Sequence, residues 1–349
     1  MIHLPPEPIS PLPLGIGALL SPFYSLAIAR RNKRFDARKG VVKASVPVVS
    51  VGNLSVGGTG KTPLVKRVVY ALKLAGFRPG IALRGYGAKI DGVSDEEAEH
   101  RINNPGVPVI ANPNRVKAIS ELLVRTSGPR VDCIVLDDAF QHRRVARDAD
   151  IVLIDATRDP FENHLLPRGW LREPVGSLRR ASGVVITHAE SASPSSIKEL
   201  GKKIEAVHNK PALAVTSHAW VNLTIYHDGT DCEEPIEWLA GKRVVACCAI
   251  ARPRPFLNQI NSRGAQLVDA MVLRDHALIS RSRGEQLARR AKAHNADAII
   301  CTTKDWTKMR HLPDSIWPVP IVRPTLEHLF LSGLQEFDTH IVQRMGGRH

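Results

Sequence analysis

Short apolar, β-branched runs alternate with stretches of helical spacing along most of this chain. The run that begins at Val46 predicts a strand, and Leu64 to Leu74 a helix. Gly80 to Arg84 and Val107 to Ala111 predict further strands, followed by a helix from Arg115 to Thr126. Val131 to Asp138, Ile151 to Asp155 and Gly183 to Thr187 read as buried strands. Fully apolar strands separated by helices predict a mostly parallel sheet covered on both faces. The texture changes at Ser193 to Lys210, which is polar and helical. Ala212 to Thr216 and Trp220 to His227 are extended and lead into a turn at Asp228-Gly229, which predicts a β-ribbon. Beyond it lie strands in Gly241 to Ile250, Ala265 to Val272 and Ala298 to Thr302, with helices at Pro255 to Gly264 and Arg281 to Asn295. This is a second, smaller α/β unit whose polar groups sit at strand ends, where open sheets bind ligands.

The richest stretch is Val46 to Pro63, VPVVSVGNLSVGGTGKTP. A strand, a glycine-rich loop, a lysine, a threonine and a helix in that order predict a phosphate-binding loop. Its backbone N–H groups cradle phosphates at a helix N-terminus, the lysine neutralises the outer phosphates and the threonine hydroxyl can hold Mg²⁺. Ser55, Val56, Gly57, Gly58, Thr59, Gly60, Lys61 and Thr62 are the candidate nucleotide contacts. Ser55 stands where the usual pattern opens with glycine.

Asp137 and Asp138 end a predicted strand, where a carboxylate of a phosphate-loop protein can hold Mg²⁺ directly or through water. One of the two is expected on the metal and the other at the attacking end of the reaction. Gln141 and His142 follow and would project at the same mouth of the sheet; for His142 a structural hydrogen bond is as good a reading. Leu165 to Pro174 places Arg172 and Glu173 in a loop: Arg172 could clamp a phosphate and Glu173 complete a metal shell, or the two could form a surface ion pair.

Length adds a second domain to this picture, since 349 residues exceed one comfortable core. Lys+Arg 48 against Asp+Glu 34 leaves +14, which favours nucleic acid, an anionic membrane or a phosphorylated substrate without choosing among them. Aromatic residues at 5% give poor support for stacking on single strands. Five cysteines show no CxxC spacing, so they read as reduced thiols in a cytosolic setting, and no zinc site is expected. Leu14 to Ala29 is apolar but short for a span, contains Pro22, and adjoins Arg30, Arg31, Lys33, Arg34, Arg38 and Lys39. Such a pair can lie in the headgroups of an anionic leaflet.

Together these motifs resemble the tetraacyldisaccharide 4′-kinase family, the lipid A 4′-kinases, from about residue 10 to about residue 335. The resemblance rests on Val51 to Pro63, Arg84-Gly-Tyr-Gly87, Asp137 to His142, Pro167 to Glu173, Asp275-His276 and Thr303-Lys-Asp305. It implies an ATP- and Mg²⁺-dependent kinase, peripheral on the cytoplasmic face of the inner membrane. Such a kinase phosphorylates the 4′-hydroxyl of an acylated glucosamine disaccharide 1-phosphate, giving lipid IVA. It also implies a closure that brings the Asp-His segment to the phosphate loop. Lys61, Asp95, Asp138 and His276 would be catalytic, with Asp95 the base and His276 its partner. Thr62, Asp137 and Glu173 would hold the metal, and Arg84, Arg115, Gln141, His142 and Arg172 would contact substrate or phosphate. The chain departs from the family at Ser94 to Glu97, usually Gly-Asp-Glu-Pro, and at Ala249 to Pro253.

The expected architecture is α/β: a RecA-like P-loop kinase domain with a parallel sheet, joined by a β-ribbon to a smaller α/β domain. The expected boundaries are 1–40 for a membrane-associating segment, 41–212 for the kinase domain and 213–230 for the ribbon. The smaller domain would span 231–335 and a flexible tail 336–349. An anionic membrane surface is expected as a partner, and neither nucleic acid nor an obligate protein partner is. The alternative is a switch NTPase of the metallochaperone type, which would show nucleotide-dependent partner binding and no lipid dependence. The chain has no Asn-Lys-x-Asp motif, which counts against guanine.

Overall fold

The computed structural model describes residues 14–85, 89–90, 92–126, 128 and 130–346. Tyr86 and Gly87 of the Arg84 turn lie outside the described residues. The chain divides into two compact units. Among the described residues the larger comprises 14–84, 103–218 and 328–346, and the smaller 85, 89–90, 92–102 and 219–327.

The larger unit is built on parallel strands in the spatial order Val109–Ala111, Pro79–Leu83, Cys133–Asp137, Val48–Asn53, Ala149–Asp155, Gly183–Thr187 and the start of Ala214–His227. The central strands are buried along their whole length, as apolar runs covered on both faces must be. Alternate residues serve opposite faces. Val49 and Val51 pack on Leu64, Val65, Val68 and Leu72 of helix Lys61–Leu74, while Val48 packs with Ala118, Ile119 and Leu122 of helix Arg115–Leu123. Across the sheet, Val152 and Val184 meet Leu200 and Ile204 of helix Pro194–His208.

The segment from residue 336, expected as a flexible tail, is instead part of helix Leu334–Arg344. Its Phe337 and Ile341, one turn apart, are fully buried against the phosphate-loop strand and helix. Phe330 stacks 5.3 Å from Phe337, and Arg67 pairs with Asp338. Leu334, Phe337, Ile341 and Val342 recur at helical spacing, so the sequence does carry an amphipathic signal here.

The smaller unit carries parallel strands ordered Gln266–Val272, Arg243–Cys248, Ala298–Cys301 and Ile321 onward. An antiparallel ribbon pairs Leu223 with Glu234 and His227 with Thr230. Helix Asp95–Asn103 belongs to this unit up to Ile102, whereas the sequence placed it in the phosphate-loop domain. The cause is packing: Ile102 joins a core with Trp306 and Met309.

Candidate active site

The phosphate loop leaves strand Val48–Asn53 and ends at Gly60, which caps helix Lys61–Leu74 in the left-handed conformation at φ +79°. A side chain at residue 60 would be strained there and would collide with His218. The loop is held on one flank by the segment that follows His164. Val56 N–H donates to Trp170 O at 2.8 Å, and Arg172 N–H to Leu54 O at 2.7 Å. Gly58 is exposed, with open space around it. Lys61 Nζ lies 3.5 Å from Asn53 Oδ1 and 3.5 Å from Asp138 Oδ1.

Asp137 is the last residue of its strand and sits beside Val51 in register. Asp138 turns into the left-handed region at φ +47°. Arg172 Nη1 donates to both of its carboxylate oxygens at 2.9 Å. Burial alone would raise the pKa of Asp138, but the Lys61 and Arg172 charges outweigh it and hold the carboxyl down at about 2. Asp138 is therefore anionic at any working pH and holds two cations at the mouth of the loop. Gln141 Nε2 donates to Asn53 O at 2.8 Å and so ties the segment after Asp138 to the loop strand.

Several expected contacts have other duties. Arg115 is 2% exposed and donates to the carbonyls of Asn112 and Asp137, bracing two strand ends. His142 is pushed down to about 4, by burial first and then by Arg115, Arg147, Arg144 and Arg84, so it is neutral. Arg84 is exposed at the end of its strand. Glu173 is the clearest correction. It is fully buried, with Oε1 2.6 Å from Arg31 Nη2 and Oε2 2.7 Å from Arg180 Nη1. Both oxygens are engaged by guanidinium groups, so none remains for a metal shell. Arg180 lies seven residues on, but Arg31 comes from 142 positions upstream, which spacing around residue 173 does not reveal.

The smaller unit holds its own charged cluster. Asp95 opens helix Asp95–Asn103 and is 3% exposed. The preceding Ser94 accepts a hydrogen bond from Glu97 N–H at 3.2 Å, an N-terminal cap that explains why Ser-Asp-Glu-Glu works here as a turn into a helix. His276, in the left-handed region at φ +59°, lies with Nδ1 2.9 Å from Asp95 Oδ2. The carboxylate can only accept, so Nδ1 carries the proton of this bond. The bond to Asp95 raises the pKa of His276 against the opposing pull of burial. Burial would raise that of Asp95, but the His276 bond and the Lys304 and Lys308 charges hold it below the usual carboxylate range.

Lys304 and Lys308 were assigned no role from sequence. Lys304 Nζ lies 3.1 Å from Asp275 Oδ1 and 3.2 Å from His276 Nε2. Lys308 is 1% exposed and sits 3.6 Å from Asp95 and 3.3 Å from Asp305. Asp305 in turn accepts from Ala249 N–H at 3.1 Å, and His276 N–H donates to Ala249 O at 3.3 Å. The departing Ala249 loop thus acts through its backbone. The one-turn spacing of Lys304 and Lys308 just after a buried strand is the signal that could have found them. A cavity of about 350 Å³, lined by Asp95, Arg101, Lys308, Arg310 and His311 among others, reaches the buried Asp95.

The sequence profile of the tetraacyldisaccharide-1-P 4′-kinase family matches residues 16–336. The chain belongs to this family. Curated relatives named tetraacyldisaccharide 4′-kinase agree. The one from Anaeromyxobacter sp. (strain K) is 37% identical over 326 residues, 86% of this chain and 83% of its own. The one from Syntrophus aciditrophicus (strain SB) is 31% identical, over 91% of this chain and 92% of its own. The crystal structure of LpxK from Aquifex aeolicus, an "apo" form in complex with ATP, shares the fold. Its TM-score is 0.71 at 24% identity, over 94% of this chain and 98% of that one. The fold is therefore the α/β, P-loop architecture of the tetraacyldisaccharide-1-P 4′-kinase family. The residues of this chain suit Mg²⁺-ATP: a glycine cradle with open space at Gly58, a helix N-terminus behind it, a lysine, and oxygen donors from Thr62 and Asp137.

Proposed function

We propose that this protein transfers the γ-phosphoryl group of ATP to the 4′-hydroxyl of a tetraacylated glucosamine disaccharide 1-phosphate. The larger unit serves the phosphate end of the reaction. The loop N–H groups and Lys61 hold the β- and γ-phosphates, and Arg172 and Asp138 fix the lysine's surroundings. Thr62 and Asp137 are the residues that would hold Mg²⁺, which neutralises phosphate charge when bound. The smaller unit serves the proton end. Asp95 accepts the 4′-hydroxyl proton as the new O–P bond forms and the bond to the β-phosphate oxygen breaks, releasing ADP. His276, bonded to Asp95 through Nδ1–H, orients that carboxylate and shares the arriving proton.

The observation that carries this reading is the Asp95–His276 bond in a chain of this family. A switch NTPase needs no buried acid–histidine pair beside a cavity. The test is γ-phosphate transfer from labelled ATP to the lipid disaccharide monophosphate in detergent. Labelled lipid supports the reading; ATP hydrolysis without labelled lipid contradicts it.

The same reading places the protein on the cytoplasmic face of the inner membrane. No helix among the described residues is long and apolar enough to cross a membrane. Helix Leu14–Asp36 instead leaves Leu19, Phe23 and Leu26 exposed. Exposed Arg30, Lys33, Arg34, Arg38 and Lys39 follow. Arg31 is excluded from this set because it pairs with Glu173. Tyr24 donates to Arg172 O at 2.9 Å, so the helix is seated on the phosphate-loop flank. Apolar side chains beside bases suit an anionic leaflet, where an acylated substrate also resides.

A further inference from the structure

We propose that His188, Glu190 and His218 form a binding site for a divalent transition-metal ion of the zinc type, set behind the phosphate loop. All three lie in the larger unit. Each offers a ligand atom within 4.8 Å of the others. His188 Nδ1 is 2.9 Å from His218 Nδ1 and 3.3 Å from Glu190 Oε1. Two imidazole nitrogens and a carboxylate oxygen thus converge, and His188 Nδ1 stands within hydrogen-bond distance of both neighbours. Donors bound to zinc at about 2.0–2.1 Å in a tetrahedral shell stand roughly 3.3 Å apart, so a cation among them needs only small shifts.

The surroundings are those of a built site. His218 is 7% exposed and the His188 side chain 12%, while Glu190, at 29%, opens the cluster to solvent and to water as a further ligand. Glu190 Oε2 accepts from His218 N–H at 3.0 Å, which leaves Oε1 directed at His188. His188 adopts φ +58°, an uncommon conformation for a residue with a side chain. The Asp155 carboxylate stands 3.9 Å from His188 Nε2, too long for a hydrogen bond here but near enough to become the imidazole's outer-shell partner after a small rotation. Imidazole with carboxylate suits zinc or cobalt, in contrast to the oxygen donors of Thr62 and Asp137. Cysteine spacing cannot show such a site.

The site bears on the loop. His218 is the side chain that a Cβ at Gly60 would strike first. His328, whose ring lies 4.6 Å from that of His218, donates from Nε2 to Gly60 O at 2.8 Å and accepts from Thr216 at Nδ1, so it supports the cluster without joining it. Fixing His218 therefore fixes the glycine that precedes Lys61.

The test uses full-length protein freed of metal by chelation. Co²⁺ and Zn²⁺ are titrated by visible absorption and calorimetry, and ATP affinity is then measured in excess Mg²⁺ with and without one equivalent of Zn²⁺. The expected result is one tight site with nitrogen–oxygen d–d bands, weakened in His188→Ala and in the near-isosteric Glu190→Gln. The weakening should exceed the roughly 10–100-fold that loss of an outer-shell partner costs. Zn²⁺ should shift ATP affinity in the wild type and not in His188→Ala. Absence of stoichiometric Co²⁺ binding, or equal binding in folded Glu190→Gln, would overturn the site. Unchanged ATP affinity on Zn²⁺ binding would overturn its link to the loop.

Discussion

His276 meets Asp95 across 181 positions of sequence, donating from Nδ1 to Oδ2 at 2.9 Å. Neither residue stands out alone. Asp95 is one acid in an acidic run, and His276 follows an aspartate in a loop. Paired, they form a buried base with a partner that shares its proton. Asp95→Asn should lower kcat by about 10²–10⁴-fold and leave the KM for ATP near the wild-type value, because the nucleotide is held by other residues. A matching rise in the ATP KM would show that Asp95 serves binding instead.

The pair also makes stability depend on pH. The folded His276 pKa is raised above its ordinary value of 6.5 and that of Asp95 is lowered below 3.8. The histidine contribution is thus fully present below pH 6.5 and lost as pH rises through the higher folded value. The aspartate contribution is present above pH 3.8 and lost as pH falls through the lower one. His276→Ala should therefore be less stable than wild type by about 1–3 kcal/mol near pH 6. The gap should narrow toward alkaline pH, as read by denaturant unfolding. A gap that widens above neutrality would contradict the assignment.

Glu173 is predicted to be structural. Removing its charge leaves the partly exposed Arg31 and Arg180 guanidinium groups without their anion, so Glu173→Gln should lose about 1–3 kcal/mol of stability. The Mg²⁺ dependence of the folded fraction should not change. Asp137→Asn should raise the Mg²⁺ requirement, whereas Asp138→Asn should lower turnover even at saturating Mg²⁺. Identical Mg²⁺ titrations for the two aspartate variants would remove their separate roles.

Membrane docking predicts two separable contributions. Neutralising Arg30, Lys33, Arg34, Arg38 and Lys39 should weaken sedimentation with anionic vesicles, by about 1 kcal/mol per base at low salt. Leu19→Ser with Phe23→Ser should weaken it at any salt. These side chains are 71% and 71% exposed, so the fold should persist. Equal co-sedimentation of wild type and both variants would move docking elsewhere.

Much of the fold is legible in the sequence because the sheet is buried on both faces. Strands such as Val48–Asn53 and Cys133–Asp137 need apolar runs, and the loop between strand and helix needs its glycines in order. Lys61, Asp138 and Arg172 are found for the same reason: they follow strand ends or a recognisable loop. What sequence did not show depends on which side chains the fold brings together. The burial of Glu173 is decided by Arg31 and Arg180, and that of Lys308 by Asp95 and Asp305. Membership of residues 95–102 in the smaller unit is decided by packing of Ile102, which leaves no local period. Helix Leu334–Arg344 is held by burial of Phe337 and Ile341, with Phe330 of the preceding strand packed against the same core.

The central claim is phosphoryl transfer driven from the loop that ends in Lys61. The direct measurement is ³¹P NMR of the lipid product formed from ATP and the disaccharide 1-phosphate, with wild type beside Lys61→Ala. The Lys61 side chain, 14% exposed, packs into none of the apolar cores, and alanine favours a helix, so the variant should fold. The account predicts a new phosphomonoester at the 4′ position with wild type, and a rate lower by roughly 10²–10³-fold with Lys61→Ala, as for loss of one electrostatic stabiliser. A product phosphorylated elsewhere, or near wild-type turnover in the folded variant, would contradict it.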